Sequence, residues 1–461
     1  MKRRTFIESA FAAGMSGTLA TSCDVELPSL GGRPEKRDLG DTPESGEPRL
    51  PTVLAEMSLE DLKEDYRQRL FNRYLPFWDK GGYDEERGGF MCILNDDGTV
   101  ADDEKYLGYQ GCGLWVYSFL YNNFRHEPRY LEIAGKTRDF MVKYMKAEKG
   151  TWYERVNRDG SVKEGVSDNI YGWIYTVNGL AEYYKATEQE DDLKMIYETI
   201  WASLRVYDSY NYTGSRNWGG LSEDMSFVGF REQGHSMVLI RLLTQLLNTI
   251  KNRKLEDVQE EHVDNVMNKF YNSQLHITNE YLLHDYTRVP GYEDYMYTGQ
   301  SIETLWTIMF EALRKKDQEL FISTIRLIRR YLEISWDYVF EGFGDGHFYV
   351  FDGPDRTREK LYGVKSMWSH CEVLIALLHV IEYSPVQWAK EWYERVHRYT
   401  MKNFDTDYGV WKQEVDRFGN DTKREGVSLK DNFHQPRYLM LSILCLERMI
   451  ENQGKPTEIL G

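Results

Sequence analysis

A spacing limits this fold most. Short aromatic pieces, most of them with glycine, recur at intervals of roughly 60 to 70 residues. They read ERGGFMCI (86–93), KGTWYERV (149–156), NWGGLSED (217–224), NEYLLHDY (279–286), DGHFYVFD (345–352) and DYGVWKQE (407–414). Between them run long segments whose apolar residues repeat with helical period: 109–125, 168–187, 232–250, 299–315, 363–383 and 434–451. Six units, each of two helices joined by a small strand-like turn, account for about 380 residues. No distinct polar capping unit stands at either end, so the units are predicted to close on one another. The expectation is an all-α fold, an (α/α)6 barrel of six helix pairs over residues 56–455, with short β-like turns at one rim.

The same spacing predicts a site. If every short piece lies at one rim, the helix after it points its first turn at a common cavity, which gathers residues near Gln110, Asp168, His235, Gln300, His370 and His434. Three of the ten histidines fall at these equivalent places. In LKDNFHQPRYLML (429–441), Pro436 suits the first turn of a helix and puts His434 at its mouth. There the helix dipole disfavours a second positive charge and favours a neutral imidazole, which can act as a base.

Composition excludes some classes. A net charge of −17 argues against a nucleic-acid backbone as partner. Aromatic residues make up 14% of the chain, enough to fill a core and also to stack on sugar rings. The first 23 residues, MKRRTFIESAFAAGMSGTLATSC, read as a twin-arginine export signal carrying Arg3 and Arg4. Two readings of Cys23 stand side by side, lipidation as a membrane anchor or simple cleavage nearby. Residues 24–55, rich in Pro, Gly and charge, read as a flexible tether. The location expected is exported, periplasmic or attached to the cell envelope. Cys92, Cys112, Cys371 and Cys445 lack CxxC spacing, so neither a zinc site nor a disulfide framework is indicated.

Several blocks then carry a resemblance. They are FWDKGGYDEERGGFMCILNDDGTVADDEKYLGYQGCGLW (77–115), GVSDNIYGWIYTVNGLAEYY (165–184), QGHSM (233–237), TGQSIETLW (298–306), KSMWSHCE (365–372) and NFHQPR (432–437). Over about residues 60 to 450 the chain resembles the N-acylglucosamine 2-epimerase family, which includes cellobiose 2-epimerases and sulfoquinovose and mannose isomerases. The resemblance implies an (α/α)6 barrel that isomerises a reducing sugar reversibly, with no metal and no redox cofactor. Ring opening gives an aldehyde whose C2 proton a neutral histidine removes, and cationic or amide groups steady the enediolate. An epimerase needs bases on both faces of C2, whereas an aldose–ketose isomerase manages with one.

Carried over residue by residue, the resemblance makes His434 the catalytic histidine and His235 the one that touches sugar. Gln300 stands where the family has its other catalytic histidine, Cys112 where it has an arginine, and His370 where it tends to have glutamine. On one reading the imidazole has moved from position 300 to 370 and still faces the cavity, with His370 and His235 as secondary base or orienting groups. On the other, essential groups are lost. Glu303 and Glu372 would orient neighbouring side chains, Gln300 and Asn169 would bond sugar hydroxyls, Trp115, Trp306 and Trp368 would offer stacking faces, and Arg437 would complete the substrate-binding set. Alternatives are a glycoside hydrolase or polysaccharide lyase using Asp168, Glu303 or Glu372 on the same barrel, and a non-catalytic sugar-binding protein.

Overall fold

A computed structural model describes residues 49–166, 169–212, 229–344, 346–348, 363–422 and 427–459. The export signal, Cys23, most of the tether, Asp168, the piece at 217–224 and most of that at 345–352 lie outside the described residues.

Among the described residues, twelve helices of nine residues or more carry the architecture. Helix α1 (Leu59–Arg67) is followed by α2 (Leu107–Asn123), α3 (Pro128–Phe140), α4 (Ile170–Thr187), α5 (Glu190–Tyr207) and α6 (Gln233–Leu247). Then come α7 (Arg253–Asp264), α8 (Thr298–Lys315), α9 (Gln318–Ser335), α10 (Met367–Tyr383), α11 (Gln387–Asn403) and α12 (His434–Glu451). The even-numbered helices form the inner ring. Each packs on the next, from α2 through α4, α6, α8 and α10 to α12, and each on an odd-numbered outer helix. Helix α1 closes the ring as the outer partner of α12.

Pattern follows position. Helix α10, MWSHCEVLIALLHVIEY, is apolar nearly all round because one side lines the barrel and the other meets outer helices. Helix α11 instead buries one stripe, Trp388, Ala389, Trp392, Tyr393 and Val396, and exposes Glu391 and Arg398. Helices α2 and α4 approach especially closely. A Cβ on Gly111 would stand 2.5 Å from the Tyr175 carbonyl oxygen, and one on Gly179 would stand 2.5 Å from that of Gly111.

The strand-like turns are small antiparallel sheets that feed the inner helices. Lys105–Tyr106 runs into α2, Arg231–Glu232 into α6, Tyr295–Tyr297 into α8 and Val364–Ser366 into α10. The strand ahead of α12, Val427–Leu429, pairs with Ile93–Asn95 of the first unit, which ties the last unit to the first. This explains a closed ring better than propensity does: the sheet and the α1–α12 contact each join chain ends far apart in sequence. The architecture is the all-α (α/α)6 barrel.

The expected boundaries need correction. Leu50 is buried and its N–H donates to the Gly454 carbonyl at 2.8 Å, and Leu54 is buried in a hairpin of Val53–Leu54 with Met57–Ser58. Residues 50–55 therefore belong to the barrel and not to a tether. At the other end Thr457 is held as well, its N–H donating to the Glu382 carbonyl at 3.0 Å. Among the described residues no helix is long and apolar enough to cross a membrane.

Candidate active site

Because strands deliver the inner helices to one rim, the first turns of those helices converge on a cavity of about 230 Å³. Tyr109, Tyr171, Tyr175, Gln300, Trp368 and His434 line it, with Asp431 and Glu303. His434 opens α12, keeps 19% of its side chain exposed, and sets Nδ1 2.8 Å from Asp431 Oδ1. The other Asp431 oxygen accepts the Gln435 N–H at 3.0 Å. Burial would raise the Asp431 pKa, but attraction to His434 and these hydrogen bonds hold it below the usual carboxylate range. A carboxylate only accepts, so in the neutral imidazole Nδ1 carries the ring hydrogen and Nε2 keeps its lone pair. Trp368 flanks the imidazole at 5.5 Å between ring centroids. In the sequence, the D-x-x-H spacing of Asp431 and His434 is the signal for the carboxylate that fixes the tautomer.

The layer below is an ion-pair cluster. Arg437 reaches Glu303 at 2.8 Å and Glu372 at 2.5 Å, Arg241 of α6 also pairs with Glu303, and Trp306 Nε1 donates to Glu372 Oε2 at 2.9 Å. All five side chains are buried. Burial would raise Glu303, but Arg437 and Arg241 hold it below its ordinary value. For Glu372, burial pushes the carboxyl up and Arg437 offsets this only in part. Glu303, Glu372 and His434 each place an atom of metal-ligand type within 4.8 Å of the others. A divalent cation there would face two guanidiniums already engaged with the carboxylates, so the donor set fits an ion-pair floor better than a metal centre. A second grouping, His379, Glu382 and Cys445, is similar: Arg448 holds both Glu382 oxygens at 2.7 Å.

Other expected residues lie elsewhere. His235 is fully buried beside the Tyr171 ring, with Nε2 2.9 Å from the Tyr212 hydroxyl, and does not line the cavity. Burial, helped by His262, lowers its pKa to about 3, so it is neutral. His370 overturns the idea of a relocated imidazole. Its Nδ1 donates to the Ser366 carbonyl at 2.7 Å, its Nε2 accepts the Phe343 N–H at 3.1 Å, and its ring stacks on Tyr399 of α11. Both nitrogens are thus spent on backbone, and burial lowers the pKa to about 3. The variant His370→Gln is expected to leave catalytic turnover unchanged and to lower stability by about 1–3 kcal/mol, read from urea unfolding.

Trp115 donates Nε1 to Gln245 at 2.9 Å and, like Trp306, lines a second cavity of about 670 Å³ among the C-terminal halves of the inner helices. Of the three tryptophans, only Trp368 reaches the rim cavity. Asn169 caps α4, accepting the Tyr171 N–H at 3.2 Å. Gln110 clasps the backbone of Phe90, accepting its N–H at 2.7 Å and donating to its carbonyl at 2.8 Å. Gln300 does face the cavity and donates Nε2 to the Tyr171 hydroxyl at 2.9 Å.

The sequence reading missed Asp431, Tyr171, Tyr175 and Arg241. Arg241 lies in the field of Cys112, where an arginine was expected and is absent, so a guanidinium enters this layer from α6 instead. A lone arginine inside the apolar run MVLIRLL was the available sign.

Comparison with known proteins agrees with the geometry. The family described as N-acylglucosamine 2-epimerase (GlcNAc 2-epimerase) matches residues 88–435. The N-acylglucosamine 2-epimerase of Mus musculus is 26% identical over 407 residues, 86% of this chain and 94% of that protein. The cellobiose 2-epimerase of Dictyoglomus turgidum is 25% identical over 340 residues, 71% of this chain and 83% of that one. The solved cellobiose 2-epimerase of Bacillus thermoamylovorans B4167 superposes with a TM-score of 0.70 at 18% identity, covering 84% of this chain and 99% of that one. With the match spanning most of the barrel and reaching His434, the chain belongs to the N-acylglucosamine 2-epimerase family.

Proposed function

We propose that this protein is a carbohydrate 2-epimerase or aldose–ketose isomerase, acting on a reducing mono- or oligosaccharide by proton transfer through an enediolate. The observation that carries the reading is His434: an imidazole on the cavity wall, its tautomer fixed by Asp431, its Nε2 free to take the C2 proton. Tyr109, Tyr175 and Trp368 supply faces for a sugar ring, and Gln300 an amide for its hydroxyls. Arg437 and Arg241 lie beneath and hold Glu303, which lines the cavity, as the carboxylate, where it can accept from sugar hydroxyls. A hydrolase would need two free carboxyls flanking a glycosidic bond, whereas Glu303 and Glu372 are tied to Arg437.

The relatives named for N-acylglucosamine and for cellobiose make these sugars the first candidates. The paired Arg3 and Arg4 favour an enzyme working outside the cytoplasm, in the periplasm or at the envelope, with Cys23 as a point for lipid attachment. The sugar would then be unphosphorylated, a product of polysaccharide breakdown.

Proton NMR in deuterated buffer tests this directly. Cellobiose, N-acetylglucosamine, mannose and glucuronate are incubated in turn with the protein. Loss of the C2 proton signal from at least one is expected. No exchange with any of them, together with new reducing ends from an oligosaccharide, would overturn the reading in favour of hydrolysis.

A further inference from the structure

Among the described residues the wall opposite His434 offers no histidine, and the amide of Gln300 cannot take a proton from carbon. We infer that Tyr171, backed by Glu232, is the acid–base group on that wall, so that C2 of the sugar is served from two sides; this rests on the isomerase reading above.

Tyr171 starts in α4, yet its hydroxyl crosses to the next two units. It donates to Glu232 Oε1 at 2.9 Å, at the mouth of α6, and accepts from Gln300 Nε2 at 2.9 Å, in the first turn of α8. In the ring order α12, α2, α4, α6, α8, α10, the mouth of α6 is three helices from α12 in either direction. The hydroxyl therefore stands across the cavity from His434, and Tyr171 lines the same cavity. The seat is tight: a Cβ on Gly234 would collide with both Tyr171 Oη and Gln300 Nε2.

A second carboxyl backs the first. Glu232 pairs with Tyr281 across a two-stranded sheet, and Glu280 is the residue before it. Glu280 is fully buried beside Glu232, with the backbone N–H of Gly234 facing its carboxyl. Burial, then the nearby charge of Glu232, pushes its pKa well up, so Glu280 holds its proton. Burial, then Glu232 and Glu280, likewise keeps the Tyr171 phenol protonated. A phenol in this state relays a proton and does not rest as phenolate.

The step balances as follows. On the epimer whose C2–H faces Tyr171, the C–H bond breaks and its electron pair enters the enediolate. The C2 proton goes to the phenol oxygen while the phenol's own proton passes to the Glu232 carboxylate, which becomes the acid. His434, which has taken a proton from water at Nε2 before this half of the cycle, then delivers it to the other face of C2, and the enediolate returns to the aldehyde. Exchange with water resets both groups.

The test compares Tyr171→Phe and Glu232→Gln with the unaltered protein, each epimer of the sugar that exchanges being followed by NMR in deuterated buffer. Epimer interconversion is expected to fall about 100-fold or more in both variants. The epimer whose C2–H faces His434 is expected to keep exchanging at the unaltered rate, and its partner to stop. Glu232→Gln retains an acceptor for the Tyr171 hydroxyl, so it reports even where Tyr171→Phe fails to fold. Interconversion at the unaltered rate overturns the inference. So does loss of exchange from both faces in variants that unfold at the unaltered temperature, because Tyr171 would then only support the site. An unaltered protein that yields a ketose and no C2 epimer also overturns it and leaves the isomerase reading standing. No exchange by the unaltered protein overturns that reading itself.

Discussion

His434→Asn is expected to abolish measurable epimer interconversion, and C2 exchange from the epimer whose C2–H faces His434, a fall of about 100- to 10,000-fold, which is the range a positioned acid–base group contributes. Asparagine retains a donor for Asp431, and the residue is partly exposed, so the change costs the fold only about 1 kcal/mol. Activity and stability should therefore separate, and NMR exchange with thermal unfolding on the same sample reads both. Full exchange of that epimer in the folded variant would remove His434 from the chemistry and leave its contacts with Asp431 and Trp368 to explain its place.

Arg437→Met has the opposite signature. This guanidinium is buried, bonded to Glu303 and Glu372, and covered by the rings of Phe433 and Trp306 at 4.3 and 5.3 Å. Its removal leaves Glu372 without a cation and Glu303 with Arg241 alone. Stripping one partner from a buried ion pair costs about 3–5 kcal/mol, and a urea midpoint at pH 7 should show a loss of that size. Adding Glu372→Gln should recover part of it, since the cause is an uncompensated carboxylate. The pH dependence has a definite sign. In the variant the carboxyl pKa values in the folded state lie above their unfolded values. The deficit is thus full at neutral pH and shrinks as pH falls through those raised values toward about 4.3. A deficit independent of pH would point to lost packing instead of lost charge.

Sequence periodicity located the helices well because it is a local property. The pattern read at 434–451 is helix α12 residue for residue, and those at 299–315 and 168–187 agree with α8 and α4 within about two residues at each end. The rim could also be read, since strand-like pieces precede inner helices. Which side chain meets the cavity was harder, and the errors share one cause. A helix turns about 100° per residue, so two residues apart means about 200°, nearly the opposite face. On α10 Trp368 faces the cavity and His370 faces α11; on α6 Met237 faces the cavity and His235 is buried behind it. Spacings of three and four kept their partners together, as with Gln300 and Glu303, and Tyr171 and Tyr175.

By itself, then, the sequence determined the number of helical units, their closure into one barrel, the family, and the place of His434 at a helix mouth. Each of these follows from local period or from motif. Only the tertiary structure decided that His370 belongs to the core, that Arg241 brings a guanidinium to Glu303, and that Tyr171 reaches into the next two units round the ring, to Glu232 and Gln300. Those contacts join residues 27 to 129 positions apart. They depend on the rotation of each helix about its own axis, which packing against neighbours fixes and local sequence does not encode.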